Sequence, residues 1–212
     1  MSVAPGSDRS GPDRSRVVVL VSGSGTLLQA LLDASSAGAP FRVAGVVCDR
    51  DGALGLDRAR SAGVPTATVR PGDFPDRAAW DGAVTRAVQV FSPDLVVLAG
   101  FMRLLGPAYL DRFGGRTINT HPALLPAFPG AHAVRDALAY GVRVTGTSVI
   151  IVDEGVDTGP IVAQRCLAVE DGDTEESLHE RIKVVERALL VDVVTRMARD
   201  GWQVTDRKVR LG

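Results

Sequence analysis

Three nearly continuous apolar runs constrain the fold of this chain more than any other feature of its sequence. They are residues 17–21, 41–48 and 95–100, and they are rich in valine. Strands with so few polar positions are typical of a parallel sheet that is buried on both faces. Helix-like segments such as 27–35 and 77–91 separate the runs. The predicted fold class is therefore α/β, with an open, doubly wound and mostly parallel Rossmann-like sheet.

The pattern changes after residue 140. Residues 144–152 and 161–169 are two β-rich runs joined by an acidic loop at residues 153–160, which predicts an antiparallel pair. A long helix is expected to begin at Thr174, with acidic residues in its first turn, and to end near residue 199. Residues 202–211 resemble a short hairpin. The C-terminal part is thus predicted to be an antiparallel extension of the parallel sheet.

Composition excludes several classes of function. The 212 residues carry 24 basic and 25 acidic side chains, so no overall charge favours nucleic acid or an anionic membrane. Residues 1–15 are polar and contain no apolar targeting segment, which predicts a disordered tail before one domain at 16–212. Cys48 and Cys166 are too few for a disulfide framework and are expected to be buried or half-buried. A cytoplasmic protein with a small-molecule partner is expected.

Asn119 and His121 are the first candidates for chemistry. Both follow a β-like run, and residues two positions apart in a strand project from the same face. An amide N–H can stabilise an oxyanion, and an imidazole can exchange protons near neutral pH. A polar turn with a capping Asn and a hydrogen-bonded His would also explain the Asn-x-His spacing. Other parts of the chain must decide between a catalytic site and such a turn.

A glycine-rich loop, Gly23, Ser24, Gly25 and Thr26, lies between the first strand and the first helix. Such a loop can hold a phosphate through the N–H groups of the helix start. It matches neither a Walker A loop nor a complete dinucleotide fingerprint, because Leu28 occupies the third glycine position. A tight turn without a ligand is an equal alternative.

Several further residues are candidates. The acidic loop that contains Asp157 could be a solvated hairpin, a divalent metal site, or the source of a carboxylate that orients His121. Arg103 follows a buried strand, where open α/β sheets bind ligands. His132, at the entry to an Ala-rich helix, is a candidate capping or site residue. Glu186 has the position of an exposed helix residue.

Taken in order, these motifs resemble the phosphoribosylglycinamide formyltransferases, folate-dependent enzymes of purine synthesis. The resemblance covers about residues 16–200, and its carriers are SGSGT at 22–26, AGFMR at 99–103, NTHPALLP at 119–126, PGAH at 129–132, GTSV at 146–149 and DTGP at 157–160. It implies a catalytic trio of Asn119, His121 and Asp157. It also implies transfer of a formyl group from 10-formyltetrahydrofolate to glycinamide ribonucleotide, without a metal.

The resemblance further implies a nucleotide-binding half at 16–119 and a folate-binding and C-terminal half at 120–212. Residues 23–26 would hold the phosphate and Glu186 the glycinamide end. The implied folate-binding residues are Met102, Arg103, Leu104, Leu105, Val152, Asp153, Glu154, Gly155 and Val156. The family often has Asn where this chain has Leu27, so one side-chain contact with the phosphate would be missing.

Three rival functions are weighed against this prediction. A formyltetrahydrofolate deformylase would share the trio, but its relatives usually carry an added N-terminal regulatory domain. A methionyl-tRNA formyltransferase would need a further C-terminal domain and a basic surface. A non-enzymatic nucleotide-binding module would use the glycine loop alone. The oligomeric state cannot be read from the sequence, although an exposed edge strand near the C-terminus could support a homodimer.

Overall fold

The computed structural model of the protein describes residues 14–212. The predicted tail at 1–15 therefore lies almost wholly outside the described residues, and its last residue, Ser15, already begins a strand. The main sheet contains β1 (Ser15–Val21), β2 (Phe41–Cys48), β3 (Thr66–Thr68), β4 (Leu95–Leu98), β5 (Thr117–His121), β6 (Val144–Ile151) and β7 (Ile161–Ala168). A separate hairpin is formed by β8 (Trp202–Thr205) and β9 (Lys208–Leu211).

The order of strands in the sheet is β3-β2-β1-β4-β5-β6-β7. The first five strands of the chain pair in parallel, and β6 and β7 extend the sheet in antiparallel fashion. This confirms the predicted doubly wound sheet and its antiparallel extension. The strand order reverses at β1, because β2 lies on one side of it and β4 on the other. The crevice between the carboxyl ends of β1 and β4 is the place where such sheets bind ligands.

Helices cover both faces of the sheet, and they are α1 (Thr26–Ser36), α2 (Leu54–Ser61), α3 (Arg77–Val90), α4 (Pro107–Phe113), α5 (Ala133–Tyr140) and α6 (Glu175–Asp200). Alternate residues of β1 point to opposite faces. Val17 and Val19 pack in the core beneath α1 and α6, whereas Val18 and Leu20 pack in the core that contains Trp80 and Tyr109. Burial on both faces explains why β1 is apolar from Val17 to Val21.

Three details differ from the sequence-based expectations. The short helix α4 is not predicted, because its seven residues are too few for a helical period to be recognised. Cys48 is buried as expected, but Cys166 is exposed because it lies on β7, at the edge of the sheet. His132 occupies the N-cap position of α5, but its side chain makes no capping hydrogen bond there. In residues 14–212 no helix combines the length and apolarity that a membrane span requires.

Candidate active site

A cavity of about 320 Å³ opens at the carboxyl edge of β4 and β5. Its walls come from the loop after β4, the end of β5 and the loop between β6 and β7. All of the predicted folate-binding residues except Glu154 line it, and so do Asn119, His121 and Asp157. Neither His132 nor residues 23–26 belong to its lining. The structure thus brings together residues from three separate segments that the sequence singles out.

His121 is buried and has contacts at both ring nitrogens. Nδ1 lies 3.2 Å from Asp157 Oδ2, and Nε2 lies 2.8 Å from the Phe128 carbonyl oxygen. Because a carbonyl can only accept, Nε2 must carry a proton in that hydrogen bond. In a neutral imidazole Nδ1 would then face the Asp157 carboxylate as a second acceptor. Asp157 and the Phe128 carbonyl oxygen thus fix the imidazole ring at both of its nitrogens.

Asp157 is fixed by the loop that carries it and by the turn opposite. Its φ angle is 55°, a left-handed conformation that is uncommon for a residue other than glycine. Oδ2 accepts a hydrogen bond from the Gly130 N–H at 2.8 Å, and Oδ1 lies 3.5 Å from Asn119 Nδ2. A Cβ atom on Gly159 would overlap the Ile151 carbonyl oxygen, so the chain must be glycine there. Asp157 therefore contacts both Asn119 and His121.

The strand β6 holds the segment after His121. The Thr147 hydroxyl donates to the His121 carbonyl oxygen at 3.1 Å. The Ser148 hydroxyl donates to the Ala123 carbonyl oxygen at 2.7 Å and accepts from the Leu125 N–H at 3.0 Å. These bonds give a structural reason for the GTSV motif. They fix the turn that begins at His121 against a buried strand.

The glycine loop lies at the end of β1, beside the cavity but outside its lining. Gly25 has a φ of 70° and precedes the first residue of α1, and a Cβ atom there would come within 2.6 Å of Gly55 Cα. Gly23 and Ser24 are exposed, and Arg58 Nε donates to the Ser24 carbonyl oxygen at 2.8 Å. Leu27 is buried in the core, so only backbone groups and Ser or Thr hydroxyls of this loop can meet an anion.

Glu186 is buried, unlike the exposed helix residue its sequence suggests. It lies in α6 and accepts a hydrogen bond from the side chain of Thr120. Thr120 is the residue between Asn119 and His121 in β5. Burial raises the pKa of the Glu186 carboxyl group, and the Thr120 hydrogen bond only partly offsets this effect. Within residues 14–212, no cluster of three His, Cys, Asp or Glu side chains is arranged to hold a metal ion.

Sequence reasoning assigns no role to several other residues that shape this site. Phe128 acts through its carbonyl oxygen, which no sequence pattern reveals. Ser22 and Asp49 stand at the carboxyl ends of β1 and β2, and Arg103 Nε donates to Asp49 at 2.8 Å. Their position at strand ends is a signal that could have found them. Burial alone would raise the pKa of Asp49, but hydrogen bonds from Arg103, Ser22 and Arg50 hold it below its usual value.

An Asn, a His and an Asp around one cavity at the carboxyl edge of a doubly wound sheet define a group-transfer enzyme of the α/β class. Residues 15–194 match the family described as formyl transferase, and the chain belongs to that family. It is 57% identical over 197 residues to a phosphoribosylglycinamide formyltransferase of Mycobacterium tuberculosis, covering 93% of this chain and 91% of that protein. Identity to the Escherichia coli K12 protein of the same name is 40% over 183 residues, covering 86% of each.

Solved structures are similar over nearly the whole chain. Glycinamide ribonucleotide transformylase 1 from Symbiobacterium toebii superposes with a TM-score of 0.92 at 44% identity, and the match covers 95% of each chain. The phosphoribosylglycinamide formyltransferase from Coxiella burnetii superposes with a TM-score of 0.89 at 35% identity and covers 94% of each. The fold and the family predicted from the sequence are thereby confirmed.

Proposed function

We propose that this protein transfers the formyl group of 10-formyltetrahydrofolate to the amine of glycinamide ribonucleotide in purine biosynthesis. The products are formylglycinamide ribonucleotide and tetrahydrofolate. The convergence of Asn119, His121 and Asp157 on one cavity is the observation that carries this proposal. The relatives that carry the same activity in their names support it across the length of the chain.

The reaction needs an oxyanion site and a route for one proton. The substrate amine forms a bond to the formyl carbon, and the bond from that carbon to the folate nitrogen breaks. The amine loses a proton and the folate nitrogen gains one, so the reaction consumes no net proton. Placing the two substrates together and stabilising the developing oxyanion supply most of the acceleration.

Asn119 and His121 act on the formyl oxygen in this proposal. Asn119 Nδ2 carries two protons, and its 3.5 Å contact with Asp157 is long, so an N–H group remains to donate to the oxyanion. The imidazolium form of His121 places positive charge in the same buried wall. Asp157 keeps His121 in that form and, through water, helps to carry the proton from the amine to the folate nitrogen.

The substrates are assigned to two neighbouring regions. The cavity volume and its lining, largely apolar with a few polar groups, suit the pterin of the formyl donor. The glycine loop at residues 23–26 would bind the ribonucleotide phosphate through N–H groups at the start of α1. Glu186 would meet the glycinamide end, because its contact with Thr120 places it next to the catalytic strand. No step assigned here uses a metal.

One assay tests the proposed function. The protein is incubated with 10-formyltetrahydrofolate, with and without glycinamide ribonucleotide, and the formation of tetrahydrofolate is followed. Turnover that requires the ribonucleotide is expected. Turnover that is independent of it would instead identify a deformylase, and no turnover in either case would remove the enzyme assignment. The homodimer and the cytoplasmic location stay predictions, and light scattering would test the first of them.

A further inference from the structure

The loop after β4, residues 99–106, walls the cavity and is held by side chains from other elements. The Met102 N–H donates to Ser22 Oγ at 3.1 Å, and the Gly106 N–H donates to Asp81 Oδ1 at 2.6 Å. Arg77 donates to the Leu104 carbonyl oxygen. Because the loop has no helix or strand of its own, these contacts set the shape of the cavity wall.

Asp49 also holds this loop, although it is not part of the cavity lining. Its side chain is fully buried and accepts from Arg103 Nε at 2.8 Å and more weakly from Arg50 Nε at 3.4 Å. Asp49 also accepts a hydrogen bond from the Ser22 hydroxyl. The Ser22 oxygen in turn accepts a hydrogen bond from the Met102 N–H. One carboxylate therefore fixes the backbone of Met102, through Ser22, and the side chain of Arg103.

The same carboxylate also reaches the glycine loop. Ser22 directly precedes Gly23, whose carbonyl oxygen accepts from the Gly55 N–H at 3.0 Å. Asp49 follows β2, Ser22 follows β1 and Arg103 lies in the loop after β4, so three adjacent strand ends meet at this carboxylate. Asp49 therefore links the start of the glycine loop, through Ser22, to the cavity wall, through Arg103.

We propose that Asp49 is a positioning residue that fixes Met102 and Arg103 at the cavity wall and thereby sets the affinity for the formyl donor. The inference rests on the proposed function, since it takes the cavity as the folate site. Arg103 is 41% exposed at the cavity, and without Asp49 its guanidinium would be free to turn into solvent. The cavity would then lose a fixed wall while the catalytic trio kept its contacts.

The test is a double-mutant cycle on Asp49 and Arg103. Asp49→Asn keeps the shape of the side chain and an oxygen for Ser22, but it removes the charge that holds Arg103. The expected result is a KM for 10-formyltetrahydrofolate about ten-fold higher, with kcat changed less than about three-fold. Arg103→Ala should raise the same KM comparably, and the double variant should be no worse than Arg103→Ala. Arg50→Ala, which removes the weaker and exposed partner, is the control and should behave as wild type.

Direct titration with tetrahydrofolate, in the absence of the ribonucleotide, separates this inference from the proposed function. If the wild type binds tetrahydrofolate but transfers no formyl group, the proposed function is wrong. The role of Asp49 is then still tested by comparing the affinities of the wild type and Asp49→Asn for tetrahydrofolate. A wild-type KM in Asp49→Asn, or effects that add in the double variant, would overturn the inference. If Asp49→Asn does not fold, Ser22→Ala decides, because it breaks the link to Met102 and should raise the folate KM while leaving the ion pair intact.

Discussion

His121 Nδ1 and Asp157 Oδ2 lie 3.2 Å apart, although they belong to a strand and a distant loop. The contact depends on the antiparallel pairing of β5 with β6, which places His121 opposite Ser148. The chain then returns from β6 through the acidic loop and brings Asp157 back to the end of β5. The Nε2 contact with Phe128 fixes the ring, so Nδ1 is the ring nitrogen that faces Asp157.

Asp157→Asn should therefore retain the fold and lose most of the activity. The amide of Asn cannot hold a proton on His121 as a carboxylate does, and losses of about 10²–10⁴ in kcat are usual when such a partner is removed. Formation of tetrahydrofolate and a thermal melt would be measured together. Asp171→Asn is the matched control, since Asp171 is exposed and pairs with the exposed Arg143. Near-wild-type turnover in Asp157→Asn would remove Asp157 from the mechanism.

Asn119→Ala should lower kcat by about 10²–10³ and leave both KM values nearly unchanged. Removing one oxyanion donor costs transition-state stabilisation of this size, whereas ground-state binding depends on other residues. Steady-state kinetics with each substrate varied in turn would measure both parameters. A large rise in KM with an unchanged kcat would instead assign Asn119 to substrate binding.

Much of this fold can be predicted from sequence because its signals are local. The apolar runs predict buried parallel strands, and the carboxyl ends of parallel strands share one edge of the sheet. That edge is where Arg103, Asn119 and His121 are found. The antiparallel pair at the C-terminal end is equally visible, because its two strands are adjacent in the chain and joined by a short loop.

The contacts that complete the site cannot be predicted in this way. The approach of Asp157 to His121 requires a particular register between β5 and β6, which has no signature in either strand. Glu186 is expected to be exposed because it is charged, but it lies on the buried stripe of α6, four residues after Ile182 and three before Leu189. Its contact with Thr120 joins residues that are distant in the chain. The salt bridge of Asp49 with Arg103 likewise joins residues that only the order of strands makes neighbours.

Gly25→Ala should weaken ribonucleotide binding and stability together. The added Cβ would be only 2.6 Å from Gly55 Cα, at a φ of 70°, so the loop must shift. A several-fold rise in KM for glycinamide ribonucleotide is expected, with a loss of about 1–3 kcal/mol in the free energy of unfolding. Gly38→Ala is the control, because Gly38 also has a positive φ but open space around it. Equal effects in the two variants would mean that backbone strain alone matters.

Glu186→Gln should be more stable than the wild type at alkaline pH but poorer in binding the ribonucleotide. Burial raises the pKa of Glu186 in the folded protein, so the folded state holds this proton to higher pH than the unfolded chain does. Stability is therefore lost as pH rises through the raised pKa, and Gln, which cannot ionise, avoids that loss. The melting temperatures of the two proteins should agree near pH 4, and the variant should melt at the higher temperature at pH 8.

The same substitution tests the assignment of Glu186 to the glycinamide end. A carboxylate that faces the substrate amine should strengthen the binding of glycinamide ribonucleotide. Glu186→Gln should therefore raise the KM for glycinamide ribonucleotide roughly ten-fold, while the KM for 10-formyltetrahydrofolate stays unchanged. The matched control is Glu176→Gln, at an exposed position in the first turn of α6, and it should change neither KM. If Glu186→Gln is stabilised and its KM for glycinamide ribonucleotide is unchanged, Glu186 does not bind the substrate. Glu186 would then lower the stability of the protein without a gain in binding.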